Sequence, residues 1–341
     1  MNATFLTRRA FTAGAAAMAA SSAAFAQGAP KLSMPKIKIA MVSTELVQNA
    51  ALFAAIKGGE FAAQGLEVEV VNFRSWTEPV QALASNAAQF ALGAGSLIRA
   101  VAGQNAPLRQ IAMISSRFPY EFWVKAGSGI NKVADLKGKT IQTVRTGETL
   151  DNIWKQILGD AGLSMTDVKR VESFNGFGSI ISGSVDAANL NDSLMAKSRK
   201  AGLVSLVEYT AWRDSHGLPK GAGANLGWGT STKLLNDNPD VVKAFLRAMA
   251  KATDRLRKDK PFAISILQDK PFEVEAEVVS EVYDRHKDHW LMRMDFSRGD
   301  AQFDAEMVEV VMEQKPGSIK LESFAVEAPM KQALSELGLS F

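Results

Sequence analysis

The sequence predicts an α/β protein built from two blocks, each a mainly parallel sheet flanked by helices, with a helical C-terminal part. Short apolar runs alternate with segments of helical periodicity, which is the pattern of βαβ units. The alternation breaks near residue 117 and restarts near residue 122. A chain of 341 residues has room for about two domains, at roughly 150 residues each. These observations predict two α/β lobes.

The first block contains four predicted strands. They are short apolar or alternating runs at residues 37–42, 66–72, 89–92 and 109–115. Helix-like segments lie between them. The first of these helices ends at Gly65, because glycine commonly follows the last turn of a helix. Strand and helix therefore alternate at the spacing of a parallel sheet.

The second block repeats this pattern over residues 120–210. Its predicted strands are residues 122–125, 140–144, 168–172, 185–190 and 203–208. Residues 212–228 are glycine-rich and are predicted to be irregular. Beyond them the pattern is helical, beginning with Asn238 as a cap and Pro239 in the first helical position. Further helices are predicted at residues 273–287, 301–313 and 322–337.

Residues 1–26 have the features of an export signal. Arg8 and Arg9 precede an alanine-rich apolar run, which ends in Ala24-Phe25-Ala26. A positive start, an apolar middle and an A-x-A end are typical of a cleaved signal peptide. The paired arginines favour the twin-arginine variant. The sequence therefore predicts an exported protein of the periplasm.

Composition excludes several classes of function. Cysteine is absent, so a disulfide framework, a thiolate metal site and a cysteine nucleophile are excluded. Lys+Arg is 39 and Asp+Glu is 36, which lacks the basic excess of a nucleic-acid-binding protein. After the signal, no apolar run is long enough to span a membrane. We expect no metal, no cofactor and no catalytic residue.

Three stretches carry a resemblance to a known family. Residues 134–140 read Ala-Asp-Leu-Lys-Gly-Lys-Thr and lead into a strand and a helix that ends in Asp-Ala-Gly-Leu at residues 160–163. Residues 183–187 contain Gly-x-Val-Asp-Ala, and residues 81–90 match with Asn86 where the family usually has glycine. With these motifs the chain resembles the periplasmic solute-binding proteins of ABC importers for nitrate, sulfonates and taurine. The same superfamily includes binding proteins for pyrimidine precursors of thiamine.

The resemblance implies a type II periplasmic-binding-protein fold with ligand held between the lobes. Lobe 1 would comprise residues 36–117 plus 225–341, and lobe 2 residues 118–224. The chain would cross between them near residues 117–120 and 211–225. A ligand that binds the closed form better would shift an open–closed equilibrium. The implied protein is a monomer and not an enzyme. Its partners would be a small molecule and the permease subunits of an ABC importer.

The candidate ligand-binding residues follow predicted strands, because parallel sheets bind ligands at the carboxyl ends of their strands. In the family such segments contact ligand, which implies this role for Ser43, Gly95, Ser96, Thr146, Thr149 and Asn191. Trp228 stands between two glycines and would close over an apolar ligand body from a loop. The full set is Ser43, Thr44, Glu45, Gly95, Ser96, Arg145, Thr146, Thr149, Asn191 and Trp228.

Two of these positions favour an anionic ligand. Ser96 and Thr146 open predicted helices, whose first N–H groups and positive dipole end attract anions. Arg145 lies beside one of them and would pair with a sulfonate or carboxylate. The alternative is that both hydroxyl residues are plain N-caps. Arg74 and Arg117 are predicted to be solvated surface charges, and Phe118 and Tyr120 are predicted to be packing residues.

Other functions stay open. A receptor of the same fold for a thiamine-precursor pyrimidine or another heteroaromatic would use Glu45 and Asp192. An enzyme on this fold is a further alternative, which the absence of cysteine disfavours. His286 and His289 have a spacing that metal sites use, but the charged helical stretch around them favours a solvated face.

Overall fold

A computed structural model describes residues 30–341 except 74, 119, 145–148, 174 and 218–225. The predicted signal peptide, Arg74, Arg145 and Thr146 lie outside these residues. The described residues form two sheets flanked by helices. Their strands are β1 Lys36–Val42, β2 Glu67–Phe73, β3 Phe90–Leu92, β4 Leu108–Ser115, β5 Tyr120–Lys125, β6 Thr140–Thr143, β7 Lys169–Glu172, β8 Ala187–Asn191, β9 Leu203–Glu208, β10 Gly227–Ser231 and β11 Trp290–Arg293.

The helices fill the spans between strands and most of the C-terminal part. They are α1 Ala50–Lys57, α2 Glu60–Ala63, α3 Glu78–Ala84, α4 Ala94–Gln104, α5 Thr149–Asp160, α6 Gly176–Ser182, α7 Met195–Lys200, α8 Tyr209–Ser215, α9 Thr232–Asp237, α10 Pro239–Lys258, α11 Lys260–Leu267, α12 Val279–His286, α13 Asp300–Val311, α14 Leu321–Phe324 and α15 Ala328–Leu337. None of the helices in this described part of the chain is both long and apolar enough to cross a membrane.

Sheet A has the strand order β11-β4-β10-β3-β1-β2. Strands β1 and β2 pair in parallel, as do β1 and β3, whereas β10 and β11 are antiparallel to their neighbours. The long amphipathic helix α10 covers one face, where Phe245 stacks on Phe90 with ring centroids 3.8 Å apart. The apolar side chains of the strands are buried there, because a sheet covered by helices is removed from water.

Sheet B has the strand order β7-β6-β8-β5-β9. Strands β6, β7 and β8 are parallel, and β5 runs antiparallel between β8 and β9. Helix α5 packs on one face, where Trp154 meets Phe122 edge-on at 4.3 Å between ring centroids. The prediction of two mainly parallel sheets flanked by helices, with a helical C-terminal part, is therefore confirmed.

The carboxyl ends of β1 and β8, one strand from each sheet, lie close to each other. The loop after β1 meets the segment after β8, where the Ser193 hydroxyl donates to the Glu45 carbonyl oxygen at 3.1 Å. The chain passes between the sheets from β4 to β5 and returns from β9 to β10. We call the space between these two strand ends the cleft. The residue boundaries of the two lobes stay a prediction.

Three local predictions are wrong. Residues 212–228 are not irregular throughout, because α8 reaches Ser215 and strand β10 begins at Gly227. Strand β11 lies in the part predicted to be helical, since it pairs with the edge of β4. The helix predicted at 322–337 is two helices, α14 and α15. Strands β10 and β11 both depend on pairing with β4, which is distant in sequence.

Candidate functional site

The loop after β1 forms one wall of the cleft. Ser43, Thr44 and Glu45 are half-buried there. Ser43 has a positive φ of 52°, and its carbonyl oxygen accepts a hydrogen bond from the Asn49 side chain at 2.9 Å. This bond holds the loop in its unusual conformation, so the predicted residues Ser43, Thr44 and Glu45 are presented at the strand end as expected.

Helix α4 begins directly at the carboxyl end of β3. Gly93 links them with a φ of 150°, a conformation that favours glycine. Gly95 and Ser96 lie in the first turn, and Ser96 is 9% exposed. Ser96 is the third residue of the helix and Gly93 the N-cap, so the alternative that Ser96 is a plain N-cap is wrong. The first N–H groups of the helix have no partner within it and are directed to the cleft end.

Sheet B contributes the opposite wall. Helix α5 begins at Thr149, after the carboxyl end of β6. Asn191 is the last residue of β8, half-buried, and pairs in register with Tyr120, the first residue of β5. The Asn191 side-chain oxygen is buried and has no hydrogen-bond partner in the described structure. Burial, together with the charge of the nearby Glu45, raises the pKa of Tyr120.

A group of charged residues lies where the two sheets join, and we call it the junction cluster: Arg117, Glu121, Asp192, Glu208 and His286. The Arg117 guanidinium is 5% exposed and pairs with Glu208 at 2.8 Å, Asp192 at 3.4 Å and Glu121 at 3.5 Å. The prediction that Arg117 is a solvated surface charge is therefore wrong. A buried guanidinium is stable here because three carboxylates surround it.

His286 completes the junction cluster. Its Nε2 lies 2.5 Å from an Asp192 carboxylate oxygen, and the side chain is fully buried. Burial lowers the pKa of His286, against the opposing effect of Asp192. Its Nδ1 is buried without a hydrogen-bond partner in the described chain. A neutral ring that donates from Nε2 fits both facts. The solvated-face prediction for His286 is wrong.

Asp192 is occupied by the junction cluster. Burial alone would raise the pKa of Asp192, but the hydrogen bond from His286, together with the charge and hydrogen bond of Arg117, lowers it to about 2. Its side chain is 2% exposed. The alternative in which Asp192 holds a heteroaromatic ligand is therefore wrong in this arrangement, since its oxygens already have partners. The role of Glu45 in that alternative stays a prediction.

Two tryptophans lie outside the cleft wall. Trp228 is fully buried in strand β10 and meets Phe245 edge-on at 5.5 Å between ring centroids. The prediction that it closes over a ligand from a loop is wrong, because the central position of β10 in sheet A removes it from solvent. Trp212 stacks on His216 at 4.4 Å between ring centroids, and its indole donates to Asp160.

Two further polar side chains lie near the candidate residues: Asn189, which shares the predicted strand-end segment of Asn191, and Gln48. Asn189 is 6% exposed, lies on the same face of β8 as Asn191, and has a buried side-chain oxygen without a described partner. Gln48 follows the β1 loop and also has a buried, unpartnered side-chain oxygen. Both residues lie in short runs that favoured core elements.

Other features of the surface do not coincide with the cleft. A groove of roughly 810 Å³ is lined by Asn105, Arg109, Thr232 and Lys315 among others. It lies at the amino-terminal end of β4, the opposite edge of sheet A. Across the residues that the structure describes, no group of three or more His, Asp or Glu side chains could hold a metal ion.

Two facing α/β lobes, with helices that begin at strand ends on both sides of a cleft, define the type II periplasmic-binding-protein fold. The chain belongs to the NMT1/THI5-like family, which it matches over residues 47–261. The predicted family resemblance is thereby confirmed.

The chain is similar to several known proteins. It is 25% identical over 243 residues to the riboflavin-binding protein RibY of Chloroflexus aurantiacus, covering 68% of this chain and 66% of that protein, just under two thirds of its length. The aliphatic sulphonate binding protein SsuA from Escherichia coli superposes with a TM-score of 0.66 at 17% identity, covering 85% of this chain and 92% of that one. The desulfurization enzyme DSZB superposes with a TM-score of 0.68 at 15% identity, covering 89% of this chain and 100% of that one. These structural likenesses concern the fold.

Proposed function

We propose that the protein is the periplasmic substrate-binding component of an ABC importer. It captures a small organic anion, such as a sulfonate, a sulfate ester or an aromatic carboxylate, between its two lobes. It then delivers that anion to the permease subunits in the membrane. Residues 1–26 would direct export, and the mature protein would act as a monomer without catalysis. The fold and the sulphonate-binding structural neighbour support this proposal.

The observation that carries the anionic ligand is the start of α4 at the carboxyl end of β3. Gly95 and Ser96 lie in its first turn, where free N–H groups and the helix dipole stabilise negative charge. The glycine lets a ligand approach the backbone closely, and the Ser96 hydroxyl adds a donor. Helix α5 begins at Thr149 on the other lobe. We propose that Arg145 and Thr146, which precede it in sequence, add charge and a further donor.

A thermal-shift panel on residues 27–341 tests the proposal. The panel contains alkyl and aryl sulfonates, nitrate, aromatic carboxylates and pyrimidines. A ligand at about 100 times its Kd adds about 2.7 kcal/mol of stability, which raises the Tm by several degrees. We expect shifts with sulfonates or carboxylates. Shifts with pyrimidines alone would contradict the anionic ligand, and the absence of any shift with the anions would also count against it.

A receptor for a heteroaromatic ligand is the second candidate. The similarity to a riboflavin-binding protein favours it, as does the Glu45 carboxylate in the cleft wall. A carboxylate accepts hydrogen bonds from ring N–H groups. An enzyme remains a lesser alternative, because a desulfurization enzyme has this fold. Incubation with the bound ligand, followed by mass spectrometry, separates the two, since only an enzyme would convert it.

A further inference from the structure

A row of ion pairs joins helix α7 to helix α12 and to the loop before α12. Helix α7 packs on β9 of sheet B, whereas α12 packs on α11 and leads into β11 of sheet A. The two helices therefore belong to different lobes. At the outer end of the row, the Lys200 ammonium pairs with Glu275 at 2.5 Å and with Glu277 at 3.0 Å.

The middle of the row is a two-bond pair between Arg199 and Glu281. The Arg199 guanidinium donates to both Glu281 carboxylate oxygens, at 2.8 and 2.9 Å, which is the strongest geometry for such a pair. Arg285 donates to the same carboxylate at 3.0 Å. The bond from Arg199, together with the charge of Arg285, lowers the pKa of Glu281 to about 2, so Glu281 stays ionised.

The inner end of the row is the junction cluster. Arg285 donates to Glu121 of β5, and His286 lies 2.5 Å from Asp192. The Asp192 and His286 side chains are only 2% and 0% exposed, whereas those of Lys200 and Glu275 are 58% and 43% exposed. One row of contacts between the lobes therefore has a buried end and an end in water.

We propose that the exposed end of this row is a salt-sensitive latch between the lobes, and that the junction cluster is the pivot about which they move when the latch opens. The latch consists of Arg199, Lys200, Glu275, Glu277 and Glu281. Any motion that separates α7 from α12 must break its pairs. The proposal goes beyond the proposed function, because it concerns the lobes of the ligand-free protein.

The two ends of the row respond differently to ions because of their exposure. Dissolved ions screen exposed charges within about 10 Å at 0.1 M salt, but they screen buried pairs much less. Each exposed pair is also weak enough to open and re-form. Salt should therefore release the latch and leave the junction cluster intact, which biases the equilibrium between lobe arrangements.

Distances between two spin labels test the latch in the mature chain, residues 27–341, without ligand. The sequence has no cysteine, so Gln81→Cys and Ala134→Cys create the only two labelling sites. Both positions are exposed, the first in α3 beside sheet A and the second in the short helical turn before β6 of sheet B. Double electron–electron resonance then gives the distribution of distances between the lobes.

Two variants with the same change of net charge are compared in this labelled background. Arg199→Gln/Lys200→Gln removes both cations of the latch. Lys36→Gln/Lys38→Gln is the matched control, because the ion pairs of these exposed lysines lie within sheet A, between β1 and β2. We expect the latch variant to change the ratio of short to long distances roughly 2- to 30-fold at low salt, since two exposed pairs are lost. The control should match wild type.

Salt and charge reversal give two further measurements. About 0.5 M NaCl should shift the wild type in the same direction as the latch variant, and should change the latch variant itself less than about 2-fold. Lys200→Glu, which opposes Glu275 and Glu277 with a like charge, should also shift the ratio in that direction. Adding Glu275→Lys and Glu277→Lys restores opposite charges and should return the ratio to within about 2-fold of wild type.

A distribution that neither the latch variant nor salt changes would overturn the proposal. An equal change in the control, or no recovery in the charge-reversed triple variant, would overturn it as well. Because no ligand is present, these outcomes leave the proposed function untouched. The Tm of each variant, compared with wild type, shows that a changed distribution is not loss of folding, and the salt series on wild type needs no substitution in the latch.

Discussion

The cleft wall and the junction cluster contain similar polar side chains. Those in the junction cluster have hydrogen-bond or ion-pair partners, whereas those in the cleft wall have none among the described residues. In the junction cluster, the Arg117 guanidinium pairs with three carboxylates and His286 bonds to Asp192. In the cleft wall, the Glu45 carboxylate and the Asn191 side-chain oxygen have no partner in the described part of the structure. Charged and amide side chains at strand ends thus serve two purposes. Those with partners join segments of the two sheets, and we propose that those without partners are available to a ligand.

Removal of the central cation should have the largest effect on stability. We expect Arg117→Met to lower the free energy of unfolding by about 3–5 kcal/mol, because it removes the buried cation that Asp192, Glu121 and Glu208 share. Arg199→Met is the matched control, since the Arg199–Glu281 pair is 46% and 40% exposed, and should cost about 1 kcal/mol or less. Urea unfolding measures both. Equal losses in the two variants would show that the junction cluster is no more important than a surface pair.

Distortion of the α4 start should affect ligand binding more than stability. A Cβ at Gly93 would lie 2.9 Å from the Ser96 hydroxyl oxygen, in a backbone conformation with a φ of 150°. We expect Gly93→Ala to cost about 1–3 kcal/mol of stability and to weaken binding of the anions roughly 10-fold. Gly59→Ala is the control, because Gly59 also has a positive φ but no atom within 4 Å of its Cβ position. Equal loss of affinity in the control would contradict an anion site at α4.

Trp228→Phe should change stability without changing affinity. The indole is fully buried against Phe245, so a smaller ring leaves unfilled volume and costs about 1–2 kcal/mol. Because Trp228 lies inside sheet A, we expect the Kd for any bound anion to stay within about 2-fold. Calorimetric titration measures the Kd, and urea unfolding measures the free energy of unfolding. A large loss of affinity would contradict this expectation and show that Trp228 takes part in ligand binding.

Mild acid should weaken the junction cluster before it affects the cleft. Burial lowers the pKa of His286, and burial with neighbouring positive charges lowers the pKa of His289 to about 4. The unfolded chain therefore binds more protons than the folded protein as the pH falls below about 6.5, and stability is lost in that range. The loss is at most about 1.4 kcal/mol per pH unit for each histidine.

Urea unfolding at pH 7 and pH 5 measures this dependence. His286→Gln, which retains an N–H donor for Asp192, should reduce the loss between the two pH values. Asp192, with its pKa lowered to about 2, contributes a further loss only below about pH 4. Stability that is unchanged or higher at pH 5 would mean that His286 is already protonated in the folded protein.

The sequence predicted strands β1 to β9, because their apolar runs are local signals. Strands β10 and β11 were missed, since each becomes a strand only by pairing with β4, far away in the chain. Trp228 was placed in a loop because its glycine neighbours are typical of loops. In the structure those glycines allow close packing instead, and a Cβ at Gly229 would lie 2.2 Å from Leu97.

The sequence also predicted the strand-end positions of the candidate site, but not the state of each side chain there. Arg117 and Asp192 are 75 residues apart, and Asp192 and His286 are 94 residues apart. No local pattern signals that such residues meet. Glu45 and Asp192 therefore looked equivalent in the sequence, and only the pairing of Asp192 separates them.

The most direct test of the account compares one cleft residue with one buried residue in the same sheet. The probe is the sulfonate or carboxylate that gives the largest thermal shift, titrated into Ser96→Ala and Trp228→Phe. The account predicts that Ser96→Ala weakens binding about 10-fold, because a hydrogen bond to the charged group is lost, and that Trp228→Phe leaves the Kd unchanged. Unchanged affinity in Ser96→Ala, with weakened affinity in Trp228→Phe, would contradict it.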